Sequence, residues 1–292
     1  MRPAERALLL LCGALDDGLT PLSPHEYRTL RLRMTRRDAS AEQRLTEDYL
    51  RSLGYPAPAA ERIVSLLERQ ATLDVFLARA AAQGIVPLTR LSPQFPARLR
   101  RLEAPAVLFL RGELPEGPFL SLVGSRALLP ENRRFAEEIG VLAAREGFTL
   151  VSGGANGADR AAQEACLAAG GQVLCIVPDE LTRHRPAPRL TYCSEDGCTL
   201  AFTNARALHR NHLIHALGER TFVAQCALRT GGTWAGTTDN LRRGLSPVFV
   251  FHDGSPAAAE LAGMGAELLS KVPSSLAELP DTPLSIFDNF EK

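Results

Sequence analysis

The chain has 292 residues, 45% of them hydrophobic, enough for a large buried core and for more than one structural unit. Its 33 Lys and Arg balance 33 Asp and Glu, which excludes a whole-protein field drawing it to nucleic acid or membrane and leaves only local patches. The apolar run at 7–12 is too short for a membrane span or a secretion signal, and Cys12, Cys166, Cys175 and Cys226 sit in apolar contexts typical of reduced core thiols, so a cytoplasmic protein is expected.

Five helices are expected in residues 1–84, over 4–15, 23–32, 40–53, 57–69 and 73–83, from apolar residues at helical spacing and from Pro24 at an N1 position. This small helical domain carries Arg28, Arg31, Arg33, Arg36 and Arg37 in or beside its second helix, a set that either extends a nucleic-acid track or forms an ordinary solvated face. A connector follows over 85–118. Its prolines, Pro87, Pro93, Pro96, Pro105 and Pro115, exclude long regular elements, although 106–110 reads as a strand, and it is expected to pack on the next domain. From 119 to 270, strands and helices alternate as in an open parallel sheet. The strands fall at 119–123, 148–151, 172–177, 221–224, 247–251 and 266–269, with a further short extended piece at 199–202. Helices fall between them at 132–145, 159–169, 205–217, 233–243 and 256–263. Residues 271–292 contain Pro273, Pro280 and Pro283 and read as a docked or disordered tail.

Parallel strands joined by crossover helices collect their loops at one edge, and three of these loops are glycine turns. Gly124-Ser125-Arg126 combines a tight turn, a hydroxyl and a bidentate phosphate donor. Ser152, Gly153, Gly154, Asn156 and Gly157, followed by Asp159, lead a strand directly into a helix and present backbone N–H groups to an anion. Thr230-Gly231-Gly232-Thr233 is the third. One such turn arises from sterics as readily as from ligand binding, whereas three on one edge point to a single crevice. No Gly-Lys-Ser or Gly-Lys-Thr step follows any of them, and the spacing is not that of the dinucleotide fingerprint, so ATPase and dehydrogenase readings fall behind.

In the helix at 205–217, Arg210 can reach a phosphate and Asn211 a backbone group or base edge. His209, His212 and His215 lack carboxylates or cysteines at matching positions, which favours a solvated or phosphate-facing surface, or packing, over a metal. Cys193 and Cys198 have the spacing of half a zinc knuckle or a redox pair, but no second pair exists and ordinary loop cysteines are the simpler reading. Asp159 meets the dipole of its helix, Glu164 pairs with Arg160, and no nucleophile elbow is present. No catalytic residue, cofactor or metal is therefore assigned. The basic set is almost all arginine, with Lys271 and Lys292 the only lysines, which suits phosphate recognition and is equally what a high-GC genome produces.

Over 88–269 the chain resembles the DNA-processing protein A family, also called DprA or Smf, as a divergent member. The resemblance is carried by Phe95-Pro96-Ala97-Arg98-Leu99 with 104–109, by Gly124-Ser125-Arg126, by the run from Ser152 to Asp159, by Arg210-Asn211 and by Thr230-Gly231-Gly232-Thr233. It implies an α/β fold: an extended Rossmann-like open parallel sheet preceded by a small all-helical, SAM-like domain. It further implies single-stranded DNA binding without strong sequence preference, by a bacterial homodimer that protects incoming DNA in natural transformation and loads RecA recombinase. Gly124, Ser125, Arg126, Gly153, Gly154 and Gly157 would form the phosphate pocket, Arg210 and Asn211 the family's arginine–asparagine motif, and Gly231 and Gly232 the lining of the last turn. Such backbone readout predicts an affinity that falls steeply with salt. The chain departs from the family pattern at Arg160-Ala161-Ala162-Gln163, at 178–186 and at 204–209. The enzyme alternative is the nucleoside monophosphate phosphoribohydrolase family related to so-called lysine decarboxylases, which shares a Ser-Gly-Gly turn and a later Gly-Gly-x-Gly-Thr turn. That reading requires Asp239 as its acid, and Thr233-Trp234-Ala235 spoils the spacing. A nucleotide-sensing or partner-binding module without turnover is the third reading.

Overall fold

Proline at a first helical position and leucine at helical spacing organise the N-terminal region of the chain, whose computed structural model describes residues 1–35 and 44–279. The first residues of the helix expected at 40–53, together with Arg36, Arg37 and the tail beyond 279, lie outside the described residues. Two units result, the first comprising Met1–Leu114, Pro178–Pro186 and Tyr192–Arg206 and the second Pro115–Val177, Ala187–Thr191 and the chain from Ala207.

In unit 1, Pro3 opens α1 (Pro3–Cys12), where the Glu5 carboxylate accepts from the Arg2 backbone N–H at 2.9 Å and closes the first turn. There follow α2 (Pro24–Thr35), α3 (Glu47–Ser52), α4 (Ala57–Glu68) and α5 (Gln70–Ala82). Leu11, Leu22, Leu30, Leu50, Ala60, Ile63 and Leu66 form one buried cluster in this unit. The fourth and fifth helices almost touch end to end, closer than the expected 57–69 and 73–83. Arg69 sits at the break, its buried guanidinium donating to both Asp17 oxygens at 3.0 Å and to the Gly13 carbonyl at 2.9 Å. Next come β1 (Ile85–Thr89), α6 (Ala97–Arg101) and β2 (Val107–Arg111). Strand β1 pairs antiparallel with β2, with Ile85 opposite Arg111 and Pro87 opposite Phe109. The connector is thus more regular than its prolines suggest, because a strand at the edge of its sheet tolerates Pro87.

Unit 2 contains β3 (Phe119–Val123), α7 (Pro130–Arg145), β4 (Thr149–Ser152), α8 (Ala158–Ala168) and β5 (Gln172–Ile176). Strand β6 (Leu190–Ser194) begins in unit 2, and its residues 192–194 pair antiparallel with β2 in unit 1. The elements that follow are α9 (Asn204–Leu217), β7 (Arg220–Val223), α10 (Gly231–Arg243), β8 (Val248–Phe251), α11 (Pro256–Gly263) and β9 (Glu267–Leu269). The piece expected at 199–202 is not a strand; the extended segment lies at 190–194, where Thr191 and Cys193 alternate inward.

Six strands of unit 2 hydrogen-bond in parallel in the order β5-β4-β3-β7-β8-β9. All four residues of β4 are buried, as are the last four of β3 and of β5, which is why they read as continuous apolar runs rather than alternating ones. Strand succession runs outward from β3 on one side through β4 and β5, then resumes on its other side at β7. Helices α7 and α8 cross closely enough that a Cβ on Gly140 would collide with the Ala162 carbonyl. The chain is therefore a mixed α/β protein with a helical N-terminal region and a largely parallel sheet. Among the described residues, no helix is long and apolar enough to cross a membrane.

Candidate nucleic-acid interface

The strand order reverses at β3, which is flanked by β4 and β7, so the loops after β3 and β7 leave the same carboxyl edge of the parallel sheet. The loop after β4 joins them there. The Ser125 N–H donates to the Gln225 carbonyl at 2.9 Å, and the Ala158 N–H donates to the Ser125 carbonyl at 3.1 Å. The Thr233 hydroxyl donates to the Gly124 carbonyl at 3.0 Å. These three bonds bring the glycine turns of three strands into direct contact. Gly124 allows it, because a Cβ there would lie 2.5 Å from that of Ala158. Gly157, at φ 93°, allows it as well, since a side chain there would strike the Ser125 and Arg126 carbonyls.

The sequence-assigned residues divide into an outer and an inner set. Arg126, Gly154, Asn156, Thr230 and Gly231 are exposed, while Gly124, Ser125, Gly157, Asn211, Gly232 and Thr233 are half-buried. Arg126 is exposed and makes no side-chain hydrogen bond or ion pair among the described residues, although its charge reaches the Asp159 carboxylate through space. The Asn156 side-chain oxygen accepts from Arg160 at 3.3 Å. The Asn211 amide donates to the Gly232 carbonyl at 3.0 Å and so fixes the third turn from α9.

Ser152, Gly153, Asp159 and Arg210 are buried. The Arg210 guanidinium donates to the Gly153 carbonyl at 2.6 Å and to the Ile176 carbonyl. A Cβ on Gly153 would collide with it, so the glycine here makes room for an arginine rather than for a ligand. The Ser152 hydroxyl accepts from Gln163. The Asp159 carboxylate accepts from the Ala155 N–H at 3.2 Å and is further held by the Gly153 amide. Burial pushes its pKa up to about 6, against the opposing pull of the Arg210 charge, these two amides and the Arg126 charge. Part of the N–H set expected to meet an external anion thus already faces an internal one.

His209 is exposed, and His212 lies 3.6 Å from an Asp239 oxygen. His215 is buried, its Nδ1 paired with the Asn240 amide at 3.1 Å, and burial first and then the His212 charge push its pKa down to about 3. The spacing alone did not separate these environments. Asp239 also lies 3.6 Å from Arg243 and 3.9 Å from Arg242, inside an ion-pair cluster on α10. Cys193 and Cys198 are buried thiols not joined in a disulfide, and burial pushes that of Cys198 up to about 12. Among the described residues, no three His, Cys, Asp or Glu side chains are placed to hold a metal ion.

An α/β protein with a parallel sheet whose strand order reverses once, and with three glycine turns joined at that reversal, is a class built for ligands at strand ends. Residues 87–280, more than half of the chain, match the family model of DNA recombination-mediator protein A, and the chain belongs to that family. It is similar to Protein Smf of Borreliella burgdorferi, with 27% identity over 154 residues, 48% of this chain and 49% of that one. The chain thus spans about half the length of this curated relative. Among solved structures, DNA processing protein A of Streptococcus pneumoniae aligns with a TM-score of 0.65 and 22% identity over 86% of this chain and 96% of its own. DNA processing protein A of Helicobacter pylori, described for its single-stranded DNA binding mode, aligns with a TM-score of 0.55 and 21% identity over 64% and 91%. These two likenesses concern the fold.

Proposed function

We propose that the chain is a single-stranded DNA-binding protein that grips the phosphate backbone without reading bases. The observation that carries this reading is Arg126, an exposed guanidinium that forms no ion pair among the described residues, on the turn where the strand order reverses and in the same group of turns as the exposed Gly154, Asn156, Thr230 and Gly231. A guanidinium fork and backbone amides together match phosphate oxygens and carry no base information. Arg210, Asn211, Asp159, Ser152 and Gly153 act behind them by holding the turns in place, and Gly124, Ser125, Gly157, Gly232 and Thr233 set the close approach. The parallel core reads as an extended Rossmann-like sheet with the first unit as its SAM-like companion. On the same reading the protein is a cytoplasmic homodimer that protects incoming DNA in natural transformation and passes it to RecA recombinase.

The test is binding of the full chain to oligo-dT at several salt concentrations, with Arg126→Gln beside the wild type. The variant should keep its melting temperature, bind more weakly at low salt and lose about 0.7 from the slope of log affinity against log salt. Unchanged affinity and slope would overturn the reading. Release of free base from nucleoside monophosphates would favour the phosphoribohydrolase alternative.

A further inference from the structure

Unit 1 holds a set of arginines that form no ion pair with a carboxylate among the described residues. Glu103 accepts from Arg28 at 3.1 Å and lies 3.6 Å from the His25 ring, which ties α2 to the segment just after α6. Arg31 lies in α2, Arg90 follows β1, and Arg100 and Arg101 end α6 just before Glu103, with the Arg31 and Arg100 charges both acting on Arg90. Arg90 donates to the Leu102 carbonyl at 3.4 Å and to the Arg100 carbonyl. Arg100 donates to the Pro93 carbonyl at 3.2 Å and to that of Ser92. Carbonyls fix a guanidinium in place without cancelling its charge. The Arg31 guanidinium carbon lies 5.8 Å from the centre of the Tyr27 ring, which orients it.

None of these four arginines forms an ion pair among the described residues. Burial holds the Arg90 pKa below its ordinary value, and the neighbouring Arg31 and Arg100 charges lower it further against the pull of Tyr27. An ordinary solvated face lets like charges splay apart. Here Arg90 and Arg100 are pinned close to one another, an arrangement that an anionic ligand stabilises.

We infer that Arg31, Arg90, Arg100 and Arg101 form a second phosphate-contacting surface, carried by unit 1, whose occupant is the backbone of a single-stranded DNA. This surface rests on the DNA-binding reading given above and adds contacts that the glycine turns do not supply. Arginine forks pair with phosphate oxygens in two-point contacts, and each such contact releases counterions from the strand.

The test uses the full chain and a long oligo-dT strand in a salt titration, comparing wild type with the double variant Arg31→Gln, Arg101→Gln. Both side chains are exposed and their guanidinium groups make no hydrogen bond among the described residues, so the fold should be retained. The double variant should bind several-fold more weakly at low salt, with a slope shallower by about 1.4, or about 0.7 per lost contact. Arg31→Lys with Arg101→Lys should keep the slope, because it keeps the charge. A slope unchanged in the Gln pair while Arg126→Gln weakens binding overturns the inference and leaves the crevice reading standing. A shallower slope in the Gln pair with Arg126→Gln neutral supports this surface and removes the crevice. Absence of binding by the wild type overturns both. Binding of polyglutamate as tight as that of oligo-dT, lost in the Gln pair, overturns the nucleic-acid assignment in favour of an acidic protein partner.

Discussion

Arg126 and Arg210 bring the same charge to the same group of turns, one into solvent and one into the interior. Their substitutions should therefore differ in kind. Arg210→Ala strips two buried carbonyls of their donor, at about 1–3 kcal/mol for each acceptor left unsatisfied, and leaves Asp159 without the charge that favours its ionised form. Chemical denaturation should show a large drop in stability for Arg210→Ala and none for Arg126→Gln. Asp159 adds a pH signature. Its folded pKa of about 6 lies above the ordinary carboxylate value, so its contribution to stability is fully present below about pH 4 and is lost as pH rises through 6. Asp159→Asn should remove that slope, so denaturation midpoints of variant and wild type should shift in the variant's favour between pH 4 and 7. A parallel pH dependence in the two proteins would refute the assignment. Both residues are legible in the sequence as members of the motif. Their inward orientation is not, because it depends on the missing Cβ of Gly153, fifty-seven positions away from Arg210, and on the depth of a turn that only the tertiary fold creates.

Among elements, the crossing of α7 and α8 sets how the sheet edge is framed, since α8 begins inside the second glycine turn. Gly140→Ala would place a methyl group against the Ala162 backbone, an atom that cannot rotate away. The helices must separate, with an expected destabilisation of about 1–3 kcal/mol by urea denaturation and a weakening of oligo-dT binding as α8 shifts the turn. The central strands were readable as elements because burial on both faces makes them continuous apolar runs; β3 and the strand expected at 119–123 coincide. Strands β1 and β6 were not readable. Pro87 argues against a strand unless its edge position is known, and β6 is a five-residue segment whose alternation of Thr191 and Cys193 is too brief to outweigh the prolines just before it.

At the scale of the whole molecule, equal numbers of acidic and basic residues conceal their placement. Charge balance is a global sum, whereas attraction to a polyanion depends on which arginines form no ion pair with a carboxylate, and Arg31, Arg90, Arg100, Arg101 and Arg126 are such residues among the described ones. Sequence reading places the helical region, connector and sheet region one after another. In the structure, unit 1 draws on three separate stretches of chain, and β2 takes its second hydrogen-bonded neighbour from residues 192–194. A cut after residue 114 would therefore not release an intact N-terminal module. It would strip one side of β2 of its ladder at Phe109 to Arg111 and bare a strand edge that is prone to pair with any strand it meets. The first hundred or so residues are thus not a cassette that gene fusion could trade between proteins; they can be inherited only together with the later chain that completes their sheet.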